Sequence, residues 1–104
     1  MSYEPLFGPP IYYSTAASIT TTGTTYDLNS LAVTGAQSNR IKIHNTSGSD
    51  CYVGFNKLAG SVTTTGATAD IRIIAGDVKT FGIRTNLFSL KTNSATATVD
   101  IEVY

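Results

Sequence analysis

The chain has 104 residues, 41% of them apolar and only 13% charged, with seven basic residues balancing seven acidic ones. That length points to one domain with one modest core, and the apolar share excludes a disordered composition. The neutral balance argues against nucleic acid or an anionic membrane surface as partner, and no apolar run reaches the roughly 20 residues of a bilayer-spanning helix.

Charge this far below the usual share of about 25% is a hint that much of the surface is covered in use, as in an oligomer or larger assembly. The lone cysteine, Cys51, allows no disulfide within the chain and fits a reducing cytosol.

The chain opens on "MSYEPLFGPPIYYS". It has no basic n-region and no apolar h-region, so no secretory signal is expected. It holds Pro5, Pro9 and Pro10 and the aromatics Tyr3, Phe7, Tyr12 and Tyr13. Prolines resist central-strand pairing, so residues 1–14 read as an extended arm ahead of a domain over 15–104. Exposed aromatics on an arm are costly unless they dock. Two readings follow: the arm packs on its own domain as an edge, or it reaches a neighbouring subunit. Tyr3, Phe7, Pro9, Pro10, Tyr12 and Tyr13 are the candidate partner-binding residues.

"AASITT" reads as the first strand of the domain. It leads into "SITTTGTTYDL" at 18–28, which nearly returns as "SVTTTGATADI" at 61–71, with seven of eleven positions identical. In each copy a Gly permits a positive φ, and Asp27 or Asp70 is placed to bond local backbone. True duplication, chance in a Thr-rich chain and shared turn chemistry all remain open. A paired ligand loop is disfavoured, because Tyr26 in the first copy becomes Ala69 in the second. "YDLNSLA" can make one helical turn capped by Asp27.

"NRIKIHN" alternates, with Ile41 and Ile43 inward and Arg40, Lys42 and His44 outward. "NTSGSD" supplies turn formers, and "CYVGFN" returns with Cys51, Val53 and Phe55 inward, so the pair predicts a hairpin. "ADIRII" and "VKTFGI" predict two strands around an "AGD" turn. Phe88 and Leu90 alternate with Ser89 and Lys91, "TNSAT" turns, and "ATVDIEVY" ends with Val99, Ile101 and Val103 inward, a second predicted hairpin. The whole is an all-β pattern: an antiparallel β-sandwich, jelly-roll-like, of about seven or eight short strands.

Catalytic and metal signatures are thin. His44 is the sole histidine, on the outward face of its strand beside a turn and without a nucleophile elbow. One His, one Cys and scattered carboxylates give no metal set, and no cofactor is expected. Asp100 and Glu102 are explained as a solvent face, Asn45-Thr46-Ser47 as turn chemistry, and Cys51 as a small core hydrophobe.

Over roughly residues 15–104, "RIKIHNTSGSDCYVGFN", "ADIRIIAGDVKTFGI" and "ATVDIEVY" together give a chain that resembles the small β-rich virion structural proteins of tailed bacteriophages. The resemblance is one of strand order and texture. It implies a non-enzymatic role as a capsid decoration (cement) protein that binds and stabilises neighbouring major capsid subunits, or as a small tail or fibre component. It also implies a homo-oligomer, with a trimer the first expectation, made in the host bacterial cytoplasm and located in the virion. The alternative is a tail- or fibre-associated module that binds carbohydrate or a receptor through Tyr26 or Tyr52 and Thr hydroxyls. A small hydrolase is a third reading, and it lacks the residues.

Overall fold

The computed structural model describes residues 9–104. Eight strands follow in order: β1 (Tyr12–Ile19), β2 (Thr24–Asp27), β3 (Ile41–Asn45), β4 (Cys51–Phe55), β5 (Ile71–Ile73), β6 (Val78–Phe81), β7 (Leu87–Lys91) and β8 (Ala97–Val103). A single helical turn, α1 (Leu28–Leu31), follows β2. Its N-cap is Asp27, whose carboxylate accepts from Asn29 N at 3.1 Å, the capping role expected of it in "YDLNSLA".

The strands form two four-stranded antiparallel sheets, ordered β1-β8-β3-β6 and β2-β7-β4-β5. Among the described residues, the β4–β5 connection alone stays within one sheet, and every other connection crosses the sandwich. This is the strand order of a jelly roll, so the all-β sandwich expected from alternation is the observed fold.

Both predicted hairpins are corrected by the sheet assignment. β3 lies in the first sheet and β4 in the second, and β7 and β8 are likewise divided. The residues around "NTSGSD" and "TNSAT" therefore arch from one sheet to the other. Alternation cannot separate the two cases, because an arch and a hairpin both present the same inward residues to one core. What holds the first arch is Asn45, fully buried at the end of β3. Its Nδ2 donates to Ser49 O at 2.7 Å and Ile73 O at 3.1 Å, and its Oδ1 accepts from Ser47 N and Oγ.

The inward faces make one core. Ile41, Ile43, Val99, Ile101 and Val103 from the first sheet meet Cys51, Val53, Phe88 and Leu90 from the second, all fully buried. Tyr26 stacks on Phe88, ring centroids 5.1 Å apart.

β1 begins at Tyr12, two residues before the expected end of the arm. Tyr12 pairs with Val103, Tyr13 with Glu102 and Ser14 with Ile101, so these three belong to the edge strand. A bulge then shifts the register between Ser14 and Ala17. Ala16 sits at φ 55, with its N–H donating to Asp100 Oδ1 at 2.8 Å. A bulge bends an edge strand and interrupts further edge pairing, and it also breaks the alternation that would have revealed β1 from Tyr12 onward.

The two repeated stretches have different roles. Residues 20–23 cross between the sheets, while 62–70 lie within the β4–β5 connection. They do not occupy equivalent places in two halves. What they share is the predicted glycine geometry, φ 83 at Gly23 and φ 82 at Gly66. They also share a location, flanking the end of β7: Thr92 N donates to Thr20 O, and Thr64 Oγ1 to Asn93 Oδ1.

Candidate interaction surface

The crossings place the β1–β2, β3–β4, β5–β6 and β7–β8 turns at one end of the sandwich. The opposite end carries α1, residues 32–40 and residues 82–86. The N-terminal segment joins the domain at this helix end, where Ile11 N donates to Val103 O at 2.7 Å.

The helix end exposes apolar side chains. Ile11 and Leu31 are each 43% exposed and Val33 is 68% exposed. With Ala32, Ala36 and Gln37 they line an open depression of about 560 Å³. Its rim is polar: Arg84 Nε donates to Gln37 Oε1 at 2.8 Å, and Arg84 Nη1 to Asn39 Oδ1 at 3.1 Å. An apolar floor with a hydrogen-bonded rim is how the centre and margin of protein interfaces are built. Alternation could not have located this floor, because Leu31, Val33 and Ala36 lie between strands. Their signal in the sequence is the apolar spacing of "LNSLAVTGAQ", which reads equally well as core.

The candidate arm residues divide. Tyr3 and Phe7 lie outside the described residues. Pro9 is exposed and Pro10 half-buried. Tyr12 turns inward and packs on the core, its ring centroid 6.1 Å from that of Tyr26. Tyr13 turns outward and is 68% exposed. The structure thus leaves Tyr13 available to a partner and gives Tyr12 a packing role.

At the turn end a smaller concavity of about 190 Å³ is lined by Ser49, Asp50, Tyr52, Asn93, Ser94 and Ala95. Asp50 is held there by Ala75 N at 2.9 Å and by Arg72 Nη2 at 2.6 Å. Those two donors, the backbone one foremost, keep its carboxyl below the usual range. Tyr26 belongs to neither surface. It is buried, and desolvation pushes its hydroxyl up to about 12. Its candidacy as a saccharide contact ends there, while Tyr52 keeps its place.

Cys51 stands apart from the other residues with possible chemistry, and His44 faces Asp100 across two strands. His44 pairs with Val78 and Asp100 on the outer face of the first sheet. Cys51 is buried in the core, and desolvation raises its thiol to about 12, which keeps it protonated. Asp100 is occupied with the β1 bulge and Glu102 accepts from Tyr104 Oη at 2.6 Å. Among the described residues no group of three His, Cys, Asp or Glu could hold a metal ion, and no helix is long and apolar enough to cross a membrane.

No family model, curated protein or solved structure matches this chain.

Proposed function

We propose that the chain is a non-enzymatic virion structural protein of a tailed bacteriophage, a capsid decoration (cement) protein that binds and stabilises neighbouring major capsid subunits. The observation that carries this reading is the gathering of Ile11, Leu31 and Val33 at the end where a Pro- and aromatic-rich segment joins the domain. Clustered exposed apolar surface supports a reading in which another protein covers it. A chain with 13% charged residues and no net charge has little else to keep that surface apart from a partner. Aromatic anchors such as Phe7 and Tyr13 would each contribute about 2 kcal/mol when buried in a partner.

The test is binding to purified particles. Removal of residues 2–8 leaves β1 intact and should abolish association with the particle while the sandwich stays folded. Full binding by the truncated chain would refute the arm's part in it. A copy number per particle close to that of the shell subunits supports decoration, and a handful of copies places the chain in a tail or fibre.

A second reading is favoured by the turn-end concavity. Tyr52 beside Asp50, Ser49 and Asn93 offers an aromatic face with hydroxyl and amide partners, a composition suited to a sugar ring. A glycan array would report it, and Tyr52→Ala should remove any signal.

A further inference from the structure

We infer that the helix end takes a segment of another protein in which an apolar side chain lies beside a carboxylate. The apolar side chain enters the depression and the carboxylate pairs with Arg84. In the decoration role proposed above, on which this inference rests, that segment belongs to the shell subunit.

Arg84 is exposed, yet its neighbours fix it in place. Ser38 is fully buried and ties residues 32–40 to residues 82–86. Its N–H donates to Thr85 O at 2.8 Å, and its Oγ donates to Ile83 O at 2.6 Å and accepts from Thr85 N at 3.1 Å. The residues on either side of Ser38 then hold the one between Ile83 and Thr85. Gln37 Oε1 accepts from Arg84 Nε at 2.8 Å, and Asn39 Oδ1 accepts from Arg84 Nη1 at 3.1 Å. A long side chain that is already ordered loses less freedom when a partner arrives, which removes part of what makes surface ion pairs weak.

Both acceptors are neutral amides. The ion pairs among the described residues join Lys42 to Glu102, Lys57 to Asp70 and Arg72 to Asp50, so none of them compensates the charge of Arg84. Nη2 and the second N–H of Nη1 remain to donate, a fork that matches the two oxygens of a carboxylate. Residues 28–40 and 82–86, which build this end, include no Asp or Glu, so an arriving carboxylate meets no like charge from them.

This fork stands at the lip of the apolar floor. Gln37, which holds Arg84, also lines the depression of about 560 Å³ with Ile11, Leu31, Val33 and Ala36. One surface therefore offers a seat to an apolar side chain and a cation to its neighbour. A nucleic acid or an anionic lipid surface would call on several cations and leave the floor unused. A protein segment with Leu or Phe beside Asp or Glu uses both. Apolar burial then supplies affinity, and the charge decides which segment is accepted.

The test is a selection from a random dodecapeptide library on the full chain, followed by titration of the enriched peptide. Enriched peptides should carry Asp or Glu beside Leu or Phe, and binding should shift the amide resonances of Leu31, Val33 and Ala36. Replacing the peptide's carboxylate by the amide should weaken binding about fivefold or more. Arg84→Gln should weaken the acidic peptide by the same factor and leave the amide peptide unchanged. Val33 is 68% exposed and lies outside the strands, so Val33→Asp should keep the parent's thermal midpoint and remove binding of both peptides. The acid-to-amide change reads the Arg84 contact on the unaltered chain, so the test stands even where Arg84→Gln loosens its loop. A library without binders, enrichment without acidic residues, equal binding of acid and amide, or effects of Arg84→Gln and the amide that simply add would each overturn the inference. Binding that appears only after removal of residues 2–8 would make the chain's own N-terminal segment the occupant and overturn it as well. Particle association that survives both Arg84→Gln and Val33→Asp would overturn the shell subunit as source of the segment and leave the decoration role standing. Failure of the unaltered chain to bind particles would count against that role instead.

Discussion

The outer faces of the two sheets are made of the same strand pattern and have opposite fates. On the first sheet Lys42, His44, Thr98, Asp100 and Glu102 alternate with the core residues and stay partly open to solvent. On the second, the neighbouring outward positions Thr25, Gly54 and Ser89 form a patch of small side chains beside Tyr52, Arg72 and Lys91, and the β4–β5 connection lies on top of that patch. Ser89 Oγ donates to Lys57 O at 2.8 Å, and Thr25 Oγ1 accepts from Ala59 N at 3.0 Å. Val62 is left only 3% exposed. The difference teaches that small or hydroxyl side chains on an outward strand face can mark a loop's resting place, whereas long charged ones mark solvent. It also directs attention to the ends of the sandwich for partners, since the middle of one broad face is already covered.

The sharpest way to break this contrast is to treat the loop as core. Val62→Asp places a carboxylate where water is excluded, and the loop should lift. The expected loss is about 3 kcal/mol in denaturant-induced unfolding. His44→Gln on the open face should stay within about 0.5 kcal/mol. Equal effects at the two sites would erase the distinction. Next in size is Gly54→Val. A Cβ at Gly54 would stand 2.7 Å from Lys57 Cδ and 3.1 Å from Val62 Cγ2. The lysine end can swing aside, but Val62 cannot without opening the loop. A cost of about 2 kcal/mol is expected, against a near-neutral Thr98→Val on the first sheet.

These residues also show where the sequence is readable. Alternation in "RIKIHN", "CYVGFN" and "ATVDIEVY" finds β3, β4 and β8 and sorts their faces correctly, because a period of two is a local property. Asp27 announces α1 for the same reason. Sheet membership is not local: Asn45, an inward polar residue before "TSGSD", is the one sign that the chain arches, and its meaning depends on Ile73 O, 28 residues away. Tyr26 faces the core because Phe88 waits there, which no window around residue 26 reveals. The apolar floor at the helix end was equally hidden, since an exposed Val33 and a buried one look alike in sequence.

The anchoring of the covering loop offers a pH-dependent test. Asp70 accepts from Thr63 N at 2.8 Å and pairs with Lys57 Nζ at 3.0 Å. Burial opposes its ionisation, but the Thr63 N–H and the Lys57 ammonium outweigh it and hold the carboxyl below its ordinary range. A depressed folded-state value means the unfolded chain binds the proton more tightly. The contribution is therefore complete above about pH 4, near the unfolded value, and is lost as pH falls through the folded one. Hydrogen exchange at residues 59–64 should accelerate over that acid range. Asp70→Asn should remove most of the dependence and cost about 1–2 kcal/mol at neutral pH. An unchanged acid limb in that variant would mean that the loop is held by packing alone.

The smallest expected effect lies on the open face and completes the contrast. Lys42 Nζ and Glu102 Oε2 face each other at 4.0 Å, with their side chains 34% and 39% exposed. At that separation water screens the attraction, and two long side chains must be ordered to keep it. A double-mutant cycle with Lys42→Ala and Glu102→Ala should give a coupling of no more than about 0.5 kcal/mol, falling further with added salt. Glu102 also accepts from Tyr104 Oη. Glu102→Ala alone should therefore cost more than Lys42→Ala, and the excess should disappear in a Tyr104→Phe background. A strong, salt-resistant coupling between Lys42 and Glu102 would show instead that this face is desolvated in solution. The chain would then be associating through the first sheet.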